Sequence, residues 1–141
     1  MRKPVRSVVY GTTAQVNVRG EPQVSLPAEL RYRTADPYAV CLSLGAPLTG
    51  PVDWLFARSL LAAGLRLPAG TGDVRVIPRH RGHPDRVGVV LRVRAQEAAV
   101  DIETSVVSAF LMRTLALVPE GTEGLHVDLD RAVAELLEDA E

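Results

Sequence analysis

Few residues in this chain could do covalent or metal chemistry. RHRGHPD, residues 79–85, brings His80, His83 and Asp85 close together. A zinc site needs three or four converging N, S or O ligands. Here Arg79, Arg81 and Arg86 interleave with the histidines and repel a cation, so the stretch reads as a solvated turn and no metal is assigned. His126 only flanks a helix. Cys41 is the single cysteine. As a nucleophile it would need a base and a depressed pKa. Ala39, Val40, Leu42 and Ser43 supply neither, so it reads as a quiet strand residue. Asp101 and Glu103 share a strand face, the spacing of an acid–base pair. Arg92 and Arg94 share that exposure phase on the neighbouring strand, so cross-strand ion pairing accounts for all four. PAGTGD has two glycines but is no phosphate loop, and no G-x-S-x-G is present. The expectation is a non-enzyme with no cofactor.

Charge is the stronger signal. Arg75, Arg79, Arg81 and Arg86, with His80 and His83, fall within twelve residues whose only acid is Asp85. Such a cluster could neutralise phosphates in a salt-sensitive way. The favoured reading is a charged device against edge-to-edge sheet pairing. Aromatic residues make up only 4% of the chain, too few for a base-stacking surface. Single-stranded nucleic-acid binding by Arg75, Arg79, His80, Arg81 and Arg86 is therefore the rival reading. At the other extreme, Glu135, Glu138, Asp139 and Glu141 crowd a helix C-terminus, where the dipole disfavours negative charge. Fraying of that last turn is expected.

The elements that hold these residues follow from periodicity. Val8, Tyr10, Thr12, Ala14, Val16 and Val18 alternate with polar residues, a strand with one wet face. Arg19-Gly20-Glu21-Pro22 turns the chain. Val24, Leu26, Ala28, Leu30 and Tyr32 face inward on the second strand, with Glu29, Arg31 and Arg33 opposite. Pro27 argues for an edge or a bulge there. After TADP, Tyr38, Val40, Leu42 and Leu44 face inward. VDWLFA is a fourth strand. RSLLAAGL is helical, with Gly64 as its terminator. Asp73 to Pro78 is a fifth strand. Arg86–Arg94 and Glu97–Glu103 form a hairpin around Ala95-Gln96. Ser105 caps a helix whose stripe is Val106, Val107, Phe110, Leu111, Thr114, Leu115 and Val118. A last helix starts near Asp128 and buries Leu129, Ala132, Val133, Leu136 and Leu137. Tight turns make the strands antiparallel, and segregated strands and helices make the class α+β.

The bulk numbers fit one domain over residues 1–141. Sixteen basic against seventeen acidic side chains give a net charge of −1. Any anion binder must then work by a local patch. No apolar run is long enough for a signal-peptide core or a membrane span. With one cysteine and no disulfide, the expectation is a soluble, cytoplasmic protein.

VSLPAELRYRTADPYAVCLSL, VDWLFARSLLAAGL, GDVRVIP and FLMRTLALVPEGTE stand in this order, with LDRAVAELL near the end. Together they resemble the SsgA-like family of sporulation and cell division regulators of actinomycetes, over about Val24 to Leu137; SsgB-type members are similar. The resemblance implies a non-enzymatic protein that helps place the tubulin-like GTPase FtsZ at septa. It implies two antiparallel sheets of about seven strands with three helices, similar to the whirly single-stranded nucleic-acid binders. It further implies a homotrimer or larger ring, a related SsgA-like protein as a second partner, no membrane insertion of its own, and recruitment to division septa. Fold likeness to a nucleic-acid binder does not carry that function. The family motif residues Pro27, Glu29, Leu30, Tyr32, Asp36, Pro37, Trp54, Phe56, Arg58, Gly72, Arg113 and Pro119 read as mostly architectural. Glu29, Arg31, Arg33, Trp54 and Arg58 are the candidate partner or subunit contacts. Arg58 opens a helix, where the dipole offers a cation nothing, so an acidic partner is expected for it, a structural salt bridge ahead of partner recognition. RHRGHPDRVGV is more basic than the family resemblance implies at that turn.

Overall fold

A computed structural model describes residues 6–45, 50–79, 85–127 and 136–137. Seven strands run β1 (Ser7–Val18), β2 (Val24–Arg33), β3 (Ala39–Leu44), β4 (Val52–Ala57), β5 (Val74–Arg79), β6 (Arg86–Val93) and β7 (Gln96–Glu103). Helix α1 (Arg58–Ala63) lies between β4 and β5, and α2 (Thr104–Leu117) follows β7. Residues 123–127 are helical as well. The expected α+β class is found.

The expected pair of sheets is instead one continuous antiparallel sheet, ordered β4-β3-β2-β1-β7-β6-β5. The reason is the length of β1. Its 12 residues outrun β2, and the far end pairs Gln15–Val18 with Ala98–Asp101 of β7. Each half of the sheet therefore borrows the same strand. The sheet's terminal strands, β4 and β5, both touch the short α1, so the sheet must curl to bring its ends near one helix.

The inner face of that curl is the core. Leu30, Tyr32, Val40, Leu42, Val76, Val89, Val100 and Ile102 line it, and α2 packs Val107, Phe110 and Leu111 onto them. Tyr10 meets Phe110 edge-on, with ring centroids 6.1 Å apart at 80°, a favourable quadrupole arrangement. The α2 stripe and the inward set of β6 and β7 are as expected: Val87 faces Ile102, Val89 faces Val100 and Leu91 faces Ala98.

Several local expectations are corrected. Tyr38 lies before β3 and is exposed; Val24 is exposed too. Pro27 sits on an interior strand, yet its backbone looks past the end of β3, where Gly45 N–H donates to its carbonyl at 2.8 Å. Proline cannot return the reciprocal bond of that pair, and the β2–β3 ladder ends there. Gly64 is not in the left-handed region (φ −69°). It is needed because a Cβ there would stand 2.2 Å from Val76 Cγ1. The β6–β7 turn falls one residue earlier than expected, on Arg94-Ala95, and Arg94 takes φ 57°. Ser105 does not cap α2; the helix starts at Thr104, whose N–H reaches Asp85 O at 2.6 Å. Residues 123–127 are already helical, Asp128 lies outside the described residues, and Leu136 and Leu137 are exposed. Leu129, Ala132 and Val133 lie outside the described residues.

Candidate functional site

The inner face carries one built polar feature, around Arg58. This guanidinium is 3% exposed. Its Nη1 donates to Thr114 O at 3.1 Å and to Val118 O at 2.8 Å, and its Nη2 donates to Glu123 Oε2 at 3.0 Å. Its Cζ lies 5.1 Å from the Tyr32 ring centroid, within cation–π range. Thr114 O also accepts the Val118 N–H at 2.9 Å, while Val118 O lies just past the end of α2, so a cation from α1 reinforces the first, satisfies the second and suits the negative helix terminus. The acidic partner expected of Arg58 is Glu123 of the same chain. The turn after α2 aims Glu123: Gly121 takes φ 90°, its N–H donates to Glu123 Oε1 at 2.7 Å, and the Thr122 hydroxyl donates to Pro119 O. The Glu123 amide, Arg58 and the Gly121 amide hold this carboxyl below the usual glutamate range. Burial pushes the Tyr32 phenol up, with Arg58 opposing; its hydroxyl donates to Pro37 O at 3.0 Å. Arg58 is thus turned inward. Trp54 also belongs to the inner face, half-buried against the core.

The outer face holds the remaining candidates. Over β1–β4 a cross-strand row runs Val9, Arg31, Cys41, Leu55. Val9 and Leu55 are 55% and 68% exposed. Arg31 Nε donates to Glu29 Oε2 at 2.8 Å, which raises the guanidinium pKa further. Arg33 is exposed one row along. Glu29, Arg31 and Arg33 therefore do lie together on one surface, with apolar neighbours. Cys41 sits half-buried among them, and burial pushes its thiol up. That disfavours the thiolate.

Over β5–β7 the outer face is different. Arg75 Nη2 donates to Glu97 Oε1 at 2.9 Å, and Arg79 Nε donates to Asp101 Oδ1 at 3.0 Å. Arg86 stands opposite Glu103 in register. Asp101 and Glu103 are thus not served by Arg92 and Arg94, because the register sets Gly88 opposite Asp101 and lets Arg79 reach across it. A Cβ on Gly88 would lie 2.7 Å from Arg79 Nε. His80, Arg81 and His83 lie outside the described residues. Among the described residues, no group of three or more His, Cys, Asp or Glu converges on a metal-sized point. A groove of about 620 Å³ runs along this face, lined by Asn17, Arg19, Arg75, Arg79 and Arg92 over Ile77, Val90 and Ala99. Asn17, Arg19 and Arg92 were missed as partners of the cluster: only the β1–β7 pairing brings Asn17 and Arg19 to the half of the sheet that holds β5 and β6, and Arg92, on β6, stands opposite Glu97 rather than Asp101.

This curled antiparallel α+β fold, with an ionic latch inside, matches a family of division proteins. Residues 26–123 match the model of the Streptomyces sporulation and cell division protein family, SsgA. The chain belongs to this family. Over 120 residues it is 43% identical to the sporulation-specific cell division protein SsgB of Streptomyces coelicolor, covering 85% of this chain and 88% of that one. A crystal structure of an SsgA-like sporulation-specific cell division protein from Thermobifida fusca superposes with a TM-score of 0.86 at 34% identity, covering 96% of this chain and 98% of that one. A solved SsgB structure, from work on SsgB mutations and longitudinal cell division during sporulation of Streptomyces coelicolor, gives a TM-score of 0.80 at 40% identity, over 89% and 99% of the two chains.

Proposed function

We propose that the protein is a non-enzymatic regulator of sporulation-specific cell division that helps recruit or position FtsZ at septum sites through protein–protein contacts. The relatives named as sporulation-specific cell division proteins support the division role. The observation that carries the contact mechanism is the outer row Val9–Arg31–Cys41–Leu55, which sets two exposed apolar side chains around the Glu29–Arg31 pair. Apolar anchors beside a polar pair are the usual composition of a protein interface. In this reading a homotrimer or larger ring repeats the surface, and a related SsgA-like protein is a further partner. The whirly-like architecture and recruitment to septa belong to the same proposal. No helix among the described residues is long and apolar enough to cross a membrane.

Co-sedimentation with FtsZ polymers from the same organism tests it. Saturable co-sedimentation, reduced when Leu55→Asp is introduced and indifferent to a single-stranded oligonucleotide, is the expected result. No co-sedimentation, together with tight and salt-sensitive oligonucleotide binding, would replace this reading with the nucleic-acid one.

A further inference from the structure

We propose that the outer groove of β5–β7 binds an acidic peptide segment of a partner protein, with carboxylates on its arginines and an apolar side chain on its floor. This deepens the proposed function and rests on the reading of the chain as an interaction protein. Arg79 is the centre of the argument. Its Nε is fixed by Asp101, whose side chain is 8% exposed, and its guanidinium lies over Gly88, where no Cβ intervenes. Among the described residues neither Nη of Arg79 has a hydrogen-bond partner, and residues 80–84 carry no carboxylate to provide one. A guanidinium held by Nε presents its terminal amino groups as a fixed fork, the geometry that takes a carboxylate bidentately.

Arg75 adds a second cation. Its pair with Glu97 is exposed, 38% and 47% for the two side chains, so an incoming carboxylate can compete for it at little cost. Arg19 and Arg92 are exposed on the rim, and Asn17 and Gln96 contribute amides. Four arginines against Glu97 leave the lining positive.

The floor selects the class of ligand. Ile77, Val90 and Ala99 form an apolar strip between the cations, and Val90 is 8% exposed. A peptide alternating acidic and aliphatic residues matches both strip and rim. Nucleic acid matches less well, since among the described residues no aromatic side chain lines the groove to stack a base.

The test is fluorescence anisotropy on the full chain. The probe is a labelled peptide of alternating Asp and Leu; the same peptide with Lys for Asp and a labelled oligothymidylate are the comparisons. Saturable binding of the Asp/Leu peptide alone is expected. Arg92→Glu, an exposed change that leaves the fold intact by circular dichroism, should weaken it about tenfold or more. Arg79→Lys, which keeps the charge but loses the fork, should weaken it comparably. No saturable binding, binding that neither variant weakens, or preference for oligothymidylate would each overturn the proposal. Running both variants in the FtsZ co-sedimentation separates the two readings. Co-sedimentation without peptide binding sinks the groove and leaves the proposed function standing; peptide binding without co-sedimentation does the reverse.

Discussion

The two faces of the sheet use arginine in opposite ways. On the inner face Arg58 is sealed, spends its donors on α2 carbonyls and Glu123, and stacks on Tyr32. On the outer face Arg31, Arg75 and Arg79 each bond one carboxylate through a single nitrogen and keep other donors turned outward. The first arrangement fixes the chain's own topology: α1, α2 and the turn beyond it meet at one side chain. The second leaves cations that another molecule can engage. Neighbouring polarity decides which is which. An arginine enclosed by core residues must be fully satisfied, while one at a wet face need not be.

Removing Arg58 should break this contrast most severely. Arg58→Ala orphans the Val118 carbonyl, leaves Thr114 O with only the Val118 N–H, and strips Glu123 of its cation. A loss of roughly 3 kcal/mol in urea unfolding is expected, the scale for breaking a buried ion pair from one side. Arg75→Ala, made in parallel, should move the midpoint little. Equal losses in the two variants would mean that the faces do not differ as argued. Next in size is Gly64→Ala. The added methyl would overlap Val76 where α1 meets β5, and overpacking of this kind costs about 1–3 kcal/mol. It would sharpen the comparison by showing that the inner face is intolerant of volume as well as of lost charge.

Much of the inner face was legible in the sequence. Period two gave the core sides of β1, β6 and β7, and helical spacing gave the stripe of α2, because both patterns are local. What escaped depends on contacts distant in sequence. Gly64 looked like a terminator, since glycine after a helix usually is one; its reason is Val76, which no local rule contains. Tyr38 fitted the phase of β3 but precedes the strand. Asp101 looked ready for Arg92 or Arg94, and only the register, with Gly88 opposite it, hands it to Arg79. A single sheet rather than two follows from the length of β1, a quantity read only when its partners are known. Glu123 carried a weak signal, an acid two residues after Gly121. Arg58 carried a stronger one, a cation at the wrong end of a helix, and the acid it implied was found. The outer-face groove was half visible: its arginines on β5 were, while Asn17, Arg19 and Arg92 had to wait for the fold.

The latch also has a pH signature. Glu123 is held below its ordinary value of 4.5 by its own amide, by Arg58 and by the Gly121 amide. A depressed folded-state pKa contributes stability that is complete above the unfolded value and is lost as pH falls through the folded one. Wild type and Glu123→Gln should therefore differ most near pH 7 and converge as pH falls below 4.5 and through the depressed folded-state value. Urea midpoints across that range check it; a constant gap down to acid pH would place the contribution of Glu123 in something other than its charge.

The smallest effect should come from the Glu29–Arg31 pair. Both side chains are more than two-fifths exposed, at 44% and 42%, so water screens the attraction and the pair holds its geometry against side-chain entropy. Glu29→Gln should leave the urea midpoint within error of wild type. The same substitution should nevertheless weaken co-sedimentation with FtsZ if this row is the contact surface, because a partner would bury the pair between Val9 and Leu55 and leave Arg31 without its carboxylate in a drier setting. Stability and binding would then respond in opposite order to Arg58→Ala and Glu29→Gln. A Glu29→Gln protein that binds as wild type does would move the contact away from this row and toward the arginine groove on the other half of the sheet.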